Sequence, residues 1–220
     1  EEINEKVDKL LKSKSIQLEQ KEEIKILPDG TKYIVHPNKL LPGGPPKDGI
    51  PSIDRPKFVS AEEASKFVRD DELVLGINLN GDKRAYPFQI LVWHEIVNDI
   101  VAGKPVVITY CPLCGTGIAY ERTINNELVE FGVSGLLYNS DLVMYDRKTD
   151  TLWDQVTGRA IVGELTGMRL KQVPIDTVTW ADWKKLHPAT KVLSRETGFI
   201  RSYGRTPYGD YDTSRSIYFP

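Results

Sequence analysis

The sequence predicts a β-rich α+β fold: one compact domain of short antiparallel strands and hairpins with three or four helices, behind an N-terminal helical leader. Three observations favour this fold. The 220 residues include 17 Gly and 14 Pro, and most of them stand in turn-type clusters between short apolar runs. The pairs at 29–30, 80–81 and 125–126 are Asp-Gly, Asn-Gly and Asn-Asn, which are typical of hairpin turns. No sequence period indicates a propeller or a solenoid.

The leader and an irregular arm come first in the chain. Residues 1–23 predict an amphipathic helix, because apolar residues recur at i, i+4, i+7 and i+8 among charged ones. The domain is expected to occupy 24–220. Within it, 37–57 contains six Pro and three Gly, and proline has no N–H to donate to a sheet. We therefore expect a proline-rich arm that is ordered only where it lies against other elements.

The strands and helices are predicted from periodicity and from end signals. Short strands with turn residues between them are expected at 24–28, 31–35, 72–79, 83–86, 106–110, 117–122, 127–131, 142–146, 152–155, 160–162 and 216–219. Helices are expected at 61–68 after a Ser-x-x-Glu capping box, at 88–98 in an apolar run, and at Trp180–Leu186 before a His-Pro pair.

Composition restricts the classes of partner. The net charge is −2, with 29 Lys and Arg against 31 Asp and Glu, and no basic block is present. A nucleic-acid partner is therefore not expected. No run of 18 apolar residues occurs, so no transmembrane span is expected in this chain. The sequence opens with Glu1 rather than Met, which is compatible with a removed signal or an upstream lipid or membrane anchor.

The pattern most closely tied to chemistry is the turn Cys-Pro-Leu-Cys-Gly at 111–115, which directly follows an apolar strand. Proline presets its own φ, and glycine tolerates a positive φ, so the turn can aim backbone N–H groups at both sulfurs. Cys111 and Cys114 then converge on one point, as in a metal-binding knuckle. Because the chain has only these two cysteines, a site with four cysteines from one chain is excluded.

A third metal ligand must come from histidine, a carboxylate, water or a second chain. Of the three histidines, His94 is the first choice, because it stands in the apolar run 17 residues before Cys111. The alternative is a buried histidine that binds a backbone carbonyl or an acid. Two thiolates and an imidazole suit soft or borderline ions, so Cu or Zn is the predicted cofactor.

Two other interpretations of the cysteines remain open, a disulfide and a pair of inert buried thiols. A thioredoxin-type dithiol stands at a helix N-terminus, which lowers the pKa of the attacking thiol. The residues after Cys114 predict a strand instead. A thiol–disulfide activity of that kind is therefore the weaker interpretation.

Polar residues downstream of the cysteines could line a pocket. They are Tyr138, Asn139, Ser140, Asp141, Asp146, Trp153 and Gln155. The alternative is that they form turns and surface ion pairs. The sequence contains no Gly-x-Ser-x-Gly, Walker A, His-Glu-x-x-His or EF-hand motif, so catalytic residues and an enzymatic activity stay unassigned.

Several motifs in fixed order resemble the domain-of-unknown-function 3179 family. The most specific are TYCPLCGT at 109–116, SGLLYNSDLVMYD at 134–146 and LWDQ at 152–155. The resemblance spans roughly 45–220 and leaves the leader outside. It implies an exported or lipid-anchored protein, and it assigns no reaction. His94 and both cysteines occupy signature positions, as do all seven of the polar pocket residues.

Taken together, the sequence predicts an extracellular, periplasmic or cell-surface protein that holds Cu or Zn at the cysteine turn, with a redox or catalytic role left open. One alternative is a cell-surface assembly component, in which the leader or the tyrosine-rich C-terminal tail mediates self-association or binds a partner. The other alternative is a thiol–disulfide protein.

Overall fold

The computed structural model describes residues 23–211. The predicted leader, apart from Glu23, and the predicted strand at 216–219 lie outside this range. The strands are β1 (Lys25–Ile26), β2 (Lys32–Tyr33), β3 (Leu41–Pro42), β4 (Phe58–Ser60), β5 (Leu73–Leu79), β6 (Asp82–Pro87), β7 (Ile96–Val101), β8 (Lys104–Cys111), β9 (Thr116–Glu121), β10 (Thr123–Ile124), β11 (Glu127–Leu128), β12 (Phe131–Tyr138), β13 (Asp141–Asp146), β14 (Leu152–Asp154), β15 (Arg159–Val162), β16 (Gln172–Val173), β17 (Asp176–Thr179) and β18 (Lys191–Leu193). The helices are α1 (Ala61–Ala64), α2 (Phe88–Leu91), α3 (Trp180–Leu186) and a 3-10 turn at Pro37–Lys39.

These strands form three main sheets and a small hairpin. The orders are β1-β2-β15-β14-β13-β12-β3, β16-β9-β8-β7 and β17-β5-β6-β18-β4, with β10-β11 apart. Neighbouring strands are antiparallel except for β18 and β6. The prediction of a β-rich α+β fold with antiparallel strands is therefore confirmed for the described residues.

The four-stranded sheet lies between two hydrophobic cores. Along β8, Ile108 packs with β5 and β6 residues, whereas Val107 and Cys111 pack with residues of β12, β13 and β14. This division follows from the alternation of side chains across a strand. Cys111 therefore faces the core that this sheet shares with the seven-stranded sheet.

The hairpin turns form where the sequence predicts them. Asn80 and Gly81 both have positive φ, and so do Asn125 and Asn126. Two successive left-handed residues match the twist of a two-residue hairpin, and Asn and Gly adopt this conformation at low cost. These turns are local features, which is why the sequence alone predicts them.

The proline arm is ordered against the sheets. The N–H of Gly43 donates to Gly135 O at 2.8 Å, and the N–H of Ile53 donates to Ile96 O at 2.9 Å. Gly135 has a φ of 76°, and a Cβ there would lie 2.4 Å from Pro45 O. Glycine at this position therefore permits the close approach of the arm to β12.

Two of the predicted helices are shorter than expected. The helix predicted at 88–98 ends at Leu91, and Ile96–Val101 is a strand, with Ile96 paired to Thr109. A short apolar run is compatible with a buried helix and with a buried strand. Here its second part is rich in β-branched residues, which favour a strand, and it pairs with β8. The helix predicted at 61–68 is regular only over Ala61–Ala64. Trp180–Leu186 is helical as predicted.

Candidate metal centre

Cys111 is the last residue of β8, and its side chain is almost fully buried. It pairs with Thr116, the first residue of β9, so the turn between them closes the β8–β9 hairpin. Gly115 has a φ of 63°, which agrees with the expected need for glycine in this turn. The turn returns the chain so that Cys114 comes back towards Cys111.

Cys114 is exposed, and both cysteines are free thiols. Its Sγ lies 2.9 Å from Thr116 Oγ1 and 3.3 Å from Asp141 Oδ1. The strand following Cys114 is β9, so no helix N-terminus lies at this thiol. The geometry is that of a turn that holds one sulfur in the core and the other at the surface.

Asp141 enters the site from the seven-stranded sheet. It is the first residue of β13 and follows Asn139 and Ser140, which both have positive φ and form the turn of the β12–β13 hairpin. The N–H of Val156 donates to Asp141 Oδ2 at 3.1 Å, which leaves Oδ1 directed at Cys114. One ligand atom each from Cys111, Cys114 and Asp141 lies within 4.8 Å of the others.

The three acidic groups perturb one another. Burial, together with the charge of the neighbouring Cys114, raises the pKa of Asp141 to about 8. Hydrogen bonding from Cys111 lowers the pKa of Cys114, while the same contact and burial raise the pKa of Cys111. Because metal ligands bind in their deprotonated form, a cation at this site would displace these protons and neutralise the crowded negative charges.

Behind Cys114 lies a chain of polar side chains. Thr116 Oγ1 donates to Gln155 Oε1 at 3.1 Å, and Gln155 Nε2 donates to Thr109 Oγ1 at 2.9 Å. Gln155 is fully buried, and Tyr120 donates to its carbonyl oxygen. Gln155 therefore holds the side chain that touches Cys114 and does not itself touch either sulfur.

Of the other predicted pocket residues, Ser140 reaches the cysteines through its backbone, since Cys111 Sγ donates to Ser140 O at 3.8 Å. The remaining four are not among the groups that converge with the cysteines. Asp146 is fully buried and accepts hydrogen bonds from Trp153 Nε1 at 2.9 Å and from the N–H of Thr149 at 2.7 Å. This pair anchors the β13–β14 connection. Tyr138 and Asn139 lie at the end of the β12–β13 hairpin, where Asn139 is exposed. The turn interpretation therefore describes these four residues better than the pocket interpretation.

His94 does not lie with the cysteines. Its Nδ1 bonds Pro51 O at 2.8 Å and its Nε2 bonds Tyr203 OH at 2.7 Å. A carbonyl only accepts, so Nδ1 carries the proton and neutral Nε2 accepts from the tyrosine. Because the helix predicted around His94 stops at Leu91, the ring faces the arm and the C-terminal segment. The third potential metal ligand beside the two sulfurs is therefore Asp141 and not His94.

Sequence analysis missed Glu95. The residue is almost fully buried, and its backbone has a φ of 57°. Its carboxyl group accepts a 2.8 Å hydrogen bond from Tyr208 OH. Burial, with a smaller effect of the charge of Cys114, raises the pKa of Glu95 to about 7, against the lowering effect of the hydrogen bond from Tyr208. A buried carboxyl in a left-handed conformation marks a place where structure is held under strain. The sequence does contain a signal for Glu95, because an acidic residue inside an apolar run indicates a buried carboxyl group.

Among residues 23–211, no helix is long and apolar enough to cross a membrane. A family model described as Protein of unknown function (DUF3179) matches residues 47–220. No similar protein was found among the curated proteins or among the solved structures. The family match includes the cysteine turn, Asp141 and Gln155, and it covers well over half of the sequence. The chain therefore belongs to the DUF3179 family of proteins of unknown function.

Proposed function

We propose that this protein binds Zn(II) through Cys111, Cys114 and Asp141, with a fourth coordination position open to solvent. The observation that carries the proposal is the convergence of the three ligand atoms within 4.8 Å of one another. These atoms come from two hairpins in different sheets, so their convergence is a property of the tertiary fold.

The spacing agrees with tetrahedral zinc. Zn–S bonds of roughly 2.3 Å and Zn–O bonds of roughly 2.0 Å give a sulfur–oxygen edge of about 3.5 Å in a tetrahedron. Cys114 Sγ and Asp141 Oδ1 are 3.3 Å apart. Only small movements of these side chains are needed to accept the ion.

The ligand types favour zinc over copper. Cu(I) prefers thiolate, thioether and imidazole ligands, and His94 has both ring nitrogens engaged elsewhere. A carboxylate oxygen beside two thiolates suits the borderline ion Zn(II) better. Without the His94 imidazole, the site has two thiolates and a carboxylate, which is a less favourable ligand set for Cu(I).

The open position supports a chemical rather than a purely structural role. Structural zinc sites use four protein ligands, whereas catalytic sites use three and leave one position for water or substrate. Cys111 is buried on the core side and Cys114 is exposed, so solvent reaches the outer side of the cluster. Zinc bound there would supply Lewis-acid chemistry, and Gln155 and Thr116 would hold the Cys114 ligand in place.

Elemental analysis of protein purified without added metal tests the proposal. We expect one equivalent of zinc in the wild type and in Asp176→Asn, a matched change of an exposed aspartate on β17. Cys111→Ala and Asp141→Asn should lose it. Zinc retention in Asp141→Asn equal to the wild type would exclude the proposed ligand set.

A second candidate is a thiol–disulfide protein, which the asymmetry of the two thiols favours. An exposed Cys114 with a lowered pKa beside a buried Cys111 resembles an attacking and a resolving thiol. Thiol titration of the protein purified without added metal separates the two candidates. A quantitative Cys111–Cys114 disulfide that forms and reverses with a dithiol, and no zinc binding by the reduced form, would favour this function.

We also propose that the protein works outside the cytoplasm, since the family resemblance implies exported or lipid-anchored members. In an oxidising compartment free thiols form disulfides, and bound zinc would protect Cys111 and Cys114 from that reaction. Fractionation of cells that produce the full-length protein tests the location. The assembly role proposed for the leader and the end of the tail rests on segments outside the described residues.

A further inference from the structure

A cavity of about 650 Å³ is lined by residues other than the proposed metal ligands. Its walls come from the proline arm, from the turn after α2 and from the C-terminal segment 200–208. Apolar side chains line most of it, with Ile50, Val92, Trp93 and Ile200 as the largest. Small-molecule sites occupy roughly 300–1,000 Å³, so the volume suits a small organic ligand.

One charged side chain lines this cavity, that of Arg201. It is half-buried, and its Nη1 donates to the carbonyl oxygen of the adjacent Ile200 at 3.0 Å. Within residues 23–211, Arg201 forms no ion pair with an Asp or Glu. A guanidinium presents a planar fork of donors that fits a carboxylate in two parallel hydrogen bonds.

The exposure of Ile200 indicates that the ligand carries an apolar group. The Ile200 side chain is 97% exposed, although it stands on the wall of a cavity beside Trp93. A large aliphatic side chain gains free energy when a ligand removes it from water. With one cation and walls that are mostly apolar apart from Ser202 and Tyr208, the cavity matches a monoanion that carries a hydrocarbon or aromatic group.

The walls are fixed in place before any ligand binds. His94 joins the arm to the C-terminal segment through its bonds to Pro51 O and Tyr203 OH. Trp93 Nε1 donates to Arg205 O at 2.9 Å, which fastens the same segment to the turn after α2. A preformed pocket avoids the entropic cost of ordering loops when a ligand binds.

A pair of side chains connects the cavity with the cysteines. Tyr208 lines the cavity, and its hydroxyl donates to Glu95 Oε1. The Glu95 carboxyl in turn lies within the electrostatic field of Cys114. Ile50, on another wall, packs against the core cluster that contains Cys111. Through Tyr208 and Ile50 the cavity wall is therefore connected to Glu95 and to the core that contains Cys111.

We propose that this cavity binds a small monocarboxylate with an apolar body, holding its carboxylate on Arg201 and its hydrocarbon part between Trp93 and Ile200. Binding in the cavity itself does not require the metal, because Arg201 and the apolar walls are complete without it.

Calorimetric titration with 3-phenylpropanoate and with 3-phenylpropanamide tests the proposal on the full-length protein. The two probes have the same shape and differ in charge. We expect the acid to bind the wild type at least ~10-fold more tightly than the amide, which is the size of one charge-assisted hydrogen-bonded pair. Arg201→Gln should abolish this preference. Arg169→Gln, a change of an exposed arginine that does not line the cavity, should keep it.

Three results would overturn the proposal: equal affinity for acid and amide, an unchanged preference in Arg201→Gln, or no binding of either probe at millimolar concentration. Repeating the titration in Cys111→Ser separates the two proposals. If that variant lacks zinc and still binds the acid, both proposals stand. If wild-type protein binds the acid and never holds zinc, the cavity site stands and the zinc proposal fails.

Discussion

Cys114 Sγ lies 3.3 Å from Asp141 Oδ1, although the two residues are 27 positions apart and belong to hairpins of different sheets. Neither hairpin forms a site alone. The β8–β9 turn brings two sulfurs together, and the β12–β13 turn adds a carboxylate with a hydrogen-bonded outer oxygen. The packing of the four-stranded sheet against the seven-stranded sheet therefore creates the candidate centre.

The two thiols should differ in reactivity. Cys114 is exposed and has the lower pKa, whereas Cys111 is buried and has a raised pKa. Since the thiolate is the reacting form, we expect iodoacetamide to modify Cys114 at least ~10-fold faster than Cys111 in metal-free protein at pH 7. Peptide mass spectrometry over a time course measures both rates. Equal rates would mean that the turn does not separate the environments of the two sulfurs.

Gln155→Ala should weaken zinc retention about 10-fold without removing a ligand. Gln155 holds Thr116, which contacts Cys114, and loss of such an outer partner typically lowers metal affinity roughly 10- to 100-fold. Competition with a fluorescent chelator measures the effect. Gln89→Ala is the matched control, because Gln89 bonds Phe67 O and Glu72 far from this chain of contacts. A similar loss in both variants would indicate general destabilisation instead.

His94→Gln should alter acid stability and leave zinc retention unchanged. Burial lowers the pKa of His94 below 6.5, so the folded protein binds this proton more weakly than the unfolded chain. The stability due to neutral His94 is therefore complete above pH 6.5 and is lost as the pH falls through the lowered folded-state value.

The measurement is urea denaturation of metal-free wild type and His94→Gln between pH 4.5 and 8. The wild type should lose more stability than the variant on the acid side. If His94→Gln instead loses zinc as Asp141→Asn does, the sequence-based choice of His94 as a ligand is restored.

Glu95→Gln should stabilise the protein at alkaline pH. The folded-state pKa of Glu95 is raised from 4.5 to about 7, so protonated Glu95 contributes stability below pH 4.5 that is lost as the pH rises through about 7. Glutamine keeps the acceptor for Tyr208 and carries no charge. We expect a gain of up to roughly 3 kcal/mol in the free energy of unfolding at pH 9, the equivalent of this pKa shift.

Urea denaturation of the metal-free protein at pH 4 and pH 9 checks this gain. Glu164→Gln changes an exposed glutamate and serves as the control. A stability difference between wild type and Glu95→Gln that does not grow with pH would show that the carboxyl is not held in its neutral form.

Local chemistry explains which parts of this fold the sequence predicts. Asn80 and Gly81 define their hairpin by backbone preference alone, and Thr179 caps α3 by accepting from the N–H of Asp182. The apolar run after Phe88 carries no such signal. It fills a buried helix or a buried strand equally well, and only pairing with β8 decides that Ile96–Val101 is a strand.

The candidate site, too, has a part that local sequence predicts and a part that depends on tertiary packing. The cysteine turn is contained in five consecutive residues, so the sequence predicts that two sulfurs converge. Asp141 was expected near a pocket, and its place beside Cys114 depends on how two sheets stack, which no local pattern encodes. His94 is favoured by its place in an apolar run 17 residues before Cys111, but its ring contacts Pro51 and Tyr203 instead, which the sequence does not indicate.

Titration of metal-free protein with Co(II) tests the zinc proposal most directly, because cobalt takes zinc sites and reports its ligands by absorption. We expect one equivalent to give intense tetrahedral d–d bands and a thiolate-to-cobalt charge-transfer band. In Cys114→Ser this band should fall to about half per bound ion, and in the control Asp176→Asn it should match the wild type. Weak octahedral bands without charge transfer, or a spectrum that Asp141→Asn and both cysteine variants leave unchanged, would contradict the account.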